Sequence, residues 1–140
     1  MADKTFVDTN ILVYAHDSQA GTKQTLAAEQ VQDLWIQRTG VLSLQVLQEF
    51  YVTLTQKIPH PLPSKTVMSL VEHYGYWEQV ALRVEDLLEA IKIQQKHRIS
   101  FWDSLIVRAA LQGGCAILLS EDLKHGQKIG DLIVRNPFRS

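Results

Sequence analysis

The 140-residue chain holds a single cysteine, few prolines and no excess of basic charge. Lone Cys115 excludes an intramolecular disulfide, so burial alone must hold the fold. Its neighbours Ala116-Ile117-Leu118-Leu119 mark it as a buried, inert thiol. Fourteen Lys and Arg stand against fifteen Asp and Glu, a formal net charge of -1. That balance excludes the simplest electrostatic route to nucleic acid, a bulk basic surface. No apolar run approaches the ~18 residues of a membrane span. Met1-Ala2-Asp3-Lys4-Thr5 offers no basic segment leading into an apolar one, so a cytoplasmic protein with no membrane contact is expected. Neither G-x-x-x-x-G-K-[ST] nor G-x-G-x-x-G occurs, which argues against a phosphate-cradling loop. The five histidines (16, 60, 73, 97 and 125) show no zinc-ligand spacing, and no serine sits in a nucleophile elbow.

What the sequence does have is apolar periodicity that alternates between two forms. Thr5-Phe6-Val7, Val41-Leu42-Ser43-Leu44, Trp77 to Leu82 and Cys115 to Leu119 read as short strands, with Leu132-Ile133-Val134 as a last edge strand. Between them, 24–38, 45–57, the stretch from Val67 to Tyr74, and the stretch from Val84 to Ile91 carry helical spacing. Gly40 and Gly75 are expected to stop two of these helices. Residues 103–112 are apolar nearly all round and should form the most buried helix, stopped by Gly113-Gly114. Three of the four prolines fall at positions 59, 61 and 63, a stiff turn between helices. Neither half has enough strands for its own sheet, so 1–140 reads as one α/β domain around a mainly parallel sheet.

In such sheets ligands bind at the carboxyl ends of the strands. Asp8-Thr9-Asn10 follows the first strand, Ser120-Glu121-Asp122 follows the strand ending at Leu119, and Asp103 opens the buried helix. Glu49 is the only acid on the helix of 45–57. Each acid alone can be explained as a helix cap, a favourable charge at a helix start, or a solvated side chain. Together they suggest a rim of carboxylates with a charge of about -4, which resists ionising unless cations balance it. All-oxygen donors favour Mg²⁺ or Mn²⁺ over zinc, and two such ions can support phosphoryl displacement by water.

At these residues the sequence resembles the PIN-domain family, in particular the toxin ribonucleases of VapBC type. The resemblance lies in Phe6-Val7-Asp8-Thr9-Asn10-Ile11-Leu12, in Gln45-Val46-Leu47-Gln48-Glu49-Phe50-Tyr51, in Ile99-Ser100-Phe101-Trp102-Asp103-Ser104-Leu105-Ile106-Val107, and in Leu118-Leu119-Ser120-Glu121-Asp122-Leu123. Asn136-Pro137-Phe138 also resembles the end of that domain. The resemblance implies a three-layer α/β/α fold and an acidic pocket of Asp8, Glu49, Asp103 and Asp122. It further implies Mg²⁺- or Mn²⁺-dependent RNA cleavage, with Asp8 and Asp103 the foremost metal ligands. Thr9, Asn10 and Ser120 would orient carboxylates or water. Glu121 and Asp122 stand side by side, and a shift of one residue changes which of them faces the pocket.

The toxin role implies a VapB-type antitoxin as partner, in a hetero-oligomer or beside a homodimer, with the faces around Phe50, Tyr51, Tyr74 and Trp77 as candidate contacts. Lys4, Arg98, Arg108, Lys124, His125, Lys128, Arg135 and Arg139 are candidates for RNA phosphates. Two other readings compete. One is a metal-dependent phosphatase of haloacid-dehalogenase type, although Asn10 stands where that chemistry wants a second carboxylate. The other is a non-catalytic binding module whose acids only cap helices.

Overall fold

The structure, a computed structural model, describes residues 3–139. Along them run β1 (Thr5–Val7), α1 (Thr9–His16), α2 (Thr22–Gln37), β2 (Gly40–Ser43), α3 (Leu44–Val52) and α4 (Ser64–Tyr74). Then come β3 (Glu78–Val80), α5 (Val84–His97), α6 (Phe101–Gln112), β4 (Ile117–Leu119), β5 (Lys128–Ile129) and β6 (Leu132–Arg135). One π-helical turn, Thr53–Lys57, extends α3 up to the prolines.

The helix starts are set by side chains that satisfy free amides. Asp8 accepts from the Thr9 amide at α1, Ser43 from Val46 at α3, and Ser100 from Asp103 at α6. The end of α2 differs from expectation. Arg38, at φ 59°, adopts the left-handed conformation and stops the helix before Gly40 is reached. Gly40 serves packing instead, because a Cβ there would lie 2.3 Å from the Trp77 ring.

All strands join one sheet in the order β3-β2-β1-β4-β6-β5. Every pairing is parallel except β5 with β6. β1 and β2 are buried at every position, as central parallel strands require. The chain builds outward from β1 through β2 to β3, then returns through α5 and α6 to lay β4 on the other side of β1. With right-handed crossovers, that reversal sends α1 to α4 to one face and α5 with α6 to the other. The packing agrees: α1 meets α2 and α3, α3 meets α4, and α5 lies along α6. The result is a three-layer α/β/α sandwich. α6 carries five buried residues, more than any other helix described, as its all-round apolar pattern anticipated.

β6 is not an edge strand. It lies between β4 and the two-residue β5, which turns back through Gly130 (φ 60°) and Asp131. A strand of two residues has no legible alternation, so the hairpin left no periodic trace in the sequence.

Candidate active site

The order of strands reverses between β1 and β4, and α/β sheets open a crevice at such a point beyond the strand ends. Val7 pairs with Leu119, and the Asp8 amide donates to the Leu119 carbonyl at 2.9 Å. Asp8 and Ser120 therefore leave the sheet side by side. Only 5% of Asp8 is exposed. Its Oδ1 accepts from the Thr9 amide at 2.7 Å and its Oδ2 from the Ser120 hydroxyl at 2.8 Å. Ser120 Oγ, fully buried, also accepts from the Asp122 amide at 3.2 Å, which ties the two strand ends together. Asn10 Nδ2 donates to Asp122 Oδ2 at 2.9 Å, while Asn10 Oδ1 accepts from the Glu121 amide at 3.3 Å.

Asp8, Asp103 and Asp122 each present an oxygen within 4.8 Å of the others. Glu49 stands outside that triangle, held by the Thr9 hydroxyl at 2.9 Å, but lines the same small pocket of about 80 Å³. All four acids singled out in the sequence thus border one cavity. Gln45, Trp102 and Ile106 complete its wall, and these were not anticipated. The Gln45 side-chain nitrogen is buried without a partner. Trp102 is an exposed aromatic, at 64%, immediately before Asp103. Both lie inside the quoted segments, but an amide or an aromatic on a helix has no distinctive spacing to betray it.

Burial raises the Asp8 carboxyl from 3.8 to about 7. Hydrogen bonds from Ser120 and Thr9 oppose the rise, and the nearby Asp122 and Asp103 add to it. Burial, then the charge of Asp122, also pushes Asp103 up against the effect of Ser100. Among the described residues the ion pairs are Lys4–Glu78, Lys23–Glu121, Lys92–Glu89 and Arg108–Asp86, and none reaches these three aspartates. A triad of carboxylate oxygens without a protein cation fits a hard divalent ion, whereas the orphaned Gln45 NH₂ can only donate, to water or a phosphate oxygen.

The structure separates the two adjacent acids. Glu121 turns to Lys23 of α2 and accepts from the Tyr14 hydroxyl of α1 at 2.7 Å. Burial alone would raise its pKa, but those two partners hold it below the ordinary value. Lys23 in turn lies 5.0 Å from the Tyr14 ring centre and 5.3 Å from that of Phe138. Asp122 is the one left facing the pocket.

The candidate cations scatter. Lys4 pairs with Glu78 at 3.1 Å, and Arg108 pairs with buried Asp86 at 2.8 Å, so neither is free for phosphate. Lys124 and His125 border a cavity of about 480 Å³ that shares Asp122 with the acidic pocket. Of the apolar residues offered as partner contacts, Phe50, Tyr74 and Trp77 are core, at 0, 2 and 7% exposure. Large rings at helical spacing are needed to fill the layer between helices and sheet, which sequence alone does not separate from an exposed stripe. Tyr51 does reach the surface, in an apolar groove with Leu44 and Met68. Cys115 is buried and its thiol is pushed up to about 12 by that burial, the inert state expected of it. No helix among the described residues is long and apolar enough to cross a membrane.

A family model described as PIN domain matches residues 5–128. No curated protein matches the chain in sequence. Among solved structures, Mycobacterium tuberculosis VapC20, described as a sarcin–ricin loop cleaving toxin, aligns at 16% identity and TM-score 0.60. That alignment covers 82% of this chain and 87% of VapC20. FitAcB from Neisseria gonorrhoeae aligns at 16% identity and TM-score 0.62, covering 97% of this chain and 99% of the other. At that identity the likeness concerns the fold.

Proposed function

The chain belongs to the PIN-domain family, and from that premise we propose that it is a divalent-metal-dependent endoribonuclease, the toxin of a toxin–antitoxin pair. In this reading the whole of 1–140 works as one nuclease unit in the cytoplasm. The observation that carries it is the meeting of three carboxylate oxygens within 4.8 Å at the sheet's switch point, with no ion pair to any of them among the described residues.

The reaction is hydrolysis of a phosphodiester. Water adds to phosphorus, the bond to one ester oxygen breaks, and a phosphomonoester and a free hydroxyl remain. Asp8, Asp103 and Asp122 would hold Mg²⁺ or Mn²⁺, with Glu49 completing the pocket. Such an ion, when bound, supplies charge for the phosphate oxygens and acidity for water. The chain's own contribution is positioning. Thr9 and Ser120 fix both oxygens of Asp8, so that carboxylate has one orientation. Asn10 fixes Asp122, and the Thr9 hydroxyl fixes Glu49. Asn10, engaged with Asp122 and the Glu121 amide, supplies no second carboxylate for phosphatase chemistry.

The purified chain is expected to cut single-stranded RNA with Mn²⁺ or Mg²⁺ and to stop in EDTA, with Asp103→Asn inactive. Undiminished cutting in EDTA overturns metal dependence. A VapB-type antitoxin is the proposed protein partner, closing the acidic pocket. Growth arrest on expression, relieved by that partner, tests the toxin role separately.

A further inference from the structure

The acidic pocket does not stand alone. On one side it shares Asp122 with the cavity of about 480 Å³ bordered by His97, Ile99, Leu123, Lys124, His125 and Gln127. On the other it shares Thr9 and Glu49 with a cavity of about 290 Å³ bordered by Gln48, Thr53 and Lys57. The central pocket is the smallest of the three, and each neighbour has room on the scale of a small ligand. Each neighbour also offers cations. Lys124 and Lys57 are exposed, and neither is ion-paired among the described residues. His125 Nδ1 accepts from the Asn136 amide at 3.0 Å, which leaves the ring proton of the neutral imidazole on Nε2, free to donate. Ile99 and Leu123 add an apolar wall beside those donors, as a nucleobase needs.

We propose that these three depressions form one track for single-stranded RNA. The scissile phosphate sits in the acidic pocket, one flanking nucleotide lies in the His97–Lys124–His125 cavity, and the other lies against Lys57. The assignment rests on the ribonuclease reading above and adds where the substrate lies. It also explains how an acidic pocket retains a polyanion. Repulsion at the centre is offset by cations at both ends, an arrangement that favours a strand long enough to reach both. A single nucleotide gains only one of the two contacts.

The test measures binding of fluorescein-labelled decauridylate by anisotropy in an Asp103→Asn background, to suppress cutting. Lys124→Ala with His125→Ala removes one end, and Lys57→Ala the other. All three residues are exposed, and the side-chain bond lost, from the Asn136 amide to His125, is itself exposed, so the global fold should be unaffected. Each change should weaken binding by about tenfold, the scale of a charged hydrogen bond. Each lost phosphate contact should also lower the salt dependence by about one. Lys65→Ala with Lys92→Ala, exposed cations that border none of the three depressions, should leave affinity within about twofold of the background value. Mn²⁺ titrated into the flank variants carrying native Asp103 should bind as it does to the unmodified chain. Unchanged RNA affinity in either flank variant overturns the track, even with Mn²⁺ binding intact. An equal loss in the Lys65 and Lys92 control reduces it to diffuse charge and overturns it as well. If decaglutamate binds as tightly and depends on the same residues, the cavities recognise an acidic polypeptide and the RNA assignment falls. Absence of Mn²⁺ binding by the unmodified chain overturns both this track and the function it rests on.

Discussion

Replacing Asp8 by Asn should make the metal-free protein more stable and at the same time abolish its response to Mn²⁺. Burial holds the Asp8 carboxyl at about 7 against 3.8 in the unfolded chain. Below pH ~4 both states are protonated and the residue contributes nothing. As pH rises from ~4 to ~7 the unfolded chain releases the proton while the fold retains it, so stability falls. Above ~7 the loss levels off. At ~1.4 kcal/mol per pKa unit it amounts to about 4 kcal/mol, an upper bound for a site that can hydrate. Asn carries no charge and escapes that loss. Its carbonyl can still accept from the Thr9 amide, but its NH₂ meets the Ser120 hydroxyl, which must give up donating; that exchange costs about 1 kcal/mol. The net expectation at pH 8 is a gain of about 3 kcal/mol, roughly 10 °C in Tm for a chain of this size. At pH 4 the difference should vanish or reverse slightly. Saturating Mn²⁺, at about 100 times its Kd, should then raise the parent by ~2.7 kcal/mol and leave the variant unmoved. Thermal unfolding at both pH values, with and without Mn²⁺, reads all four states. Equal stabilisation of both proteins by Mn²⁺ refutes the ligand role, and a variant less stable than the parent at pH 8 refutes the electrostatic reasoning.

Two further changes probe the parts that position the site. Glu121→Gln weakens the clamp of Lys23 and Tyr14 on the loop that carries Asp122. Calorimetry should show Mn²⁺ affinity falling about tenfold, within the range for groups that orient metal ligands, with Tm little changed. Gly40→Ala drives a methyl group into the Trp77 ring, and denaturant unfolding should show a loss of about 1–3 kcal/mol.

The acids at the strand ends were legible because chain direction in a parallel sheet is itself information. Once Thr5-Phe6-Val7 and Ile117-Leu118-Leu119 are read as buried strands, Asp8 and Asp122 must emerge on one edge. The start of α6 was legible only to within two residues: the apolar pattern begins it at Asp103, whereas Ser100, which caps the Asp103 amide, begins it at Phe101. Long-range choices were not. Which of Glu121 and Asp122 faces inward depends on Lys23 and Tyr14, about a hundred residues away, and no local pattern encodes that. Glu49 shares the pocket but not the tight triangle, because its place depends on how α3 packs against α1 and β2. Arg38 in a left-handed conformation, and a hairpin strand of two residues, carry no periodic signal at all. Net charge misled in one respect. With four acids gathered in the pocket, fourteen cations face eleven acids over the rest of the chain.

The central claim is that one cluster of carboxylates both takes up the metal and cuts RNA. The most direct measurement titrates Mn²⁺ into the parent and into Asp103→Asn while RNA cleavage is followed in the same samples. In the parent, cleavage should rise in step with occupancy of the site and cease in EDTA; in the variant, binding and cleavage should be lost together. Cleavage that persists without metal, or that survives in the variant, contradicts the account.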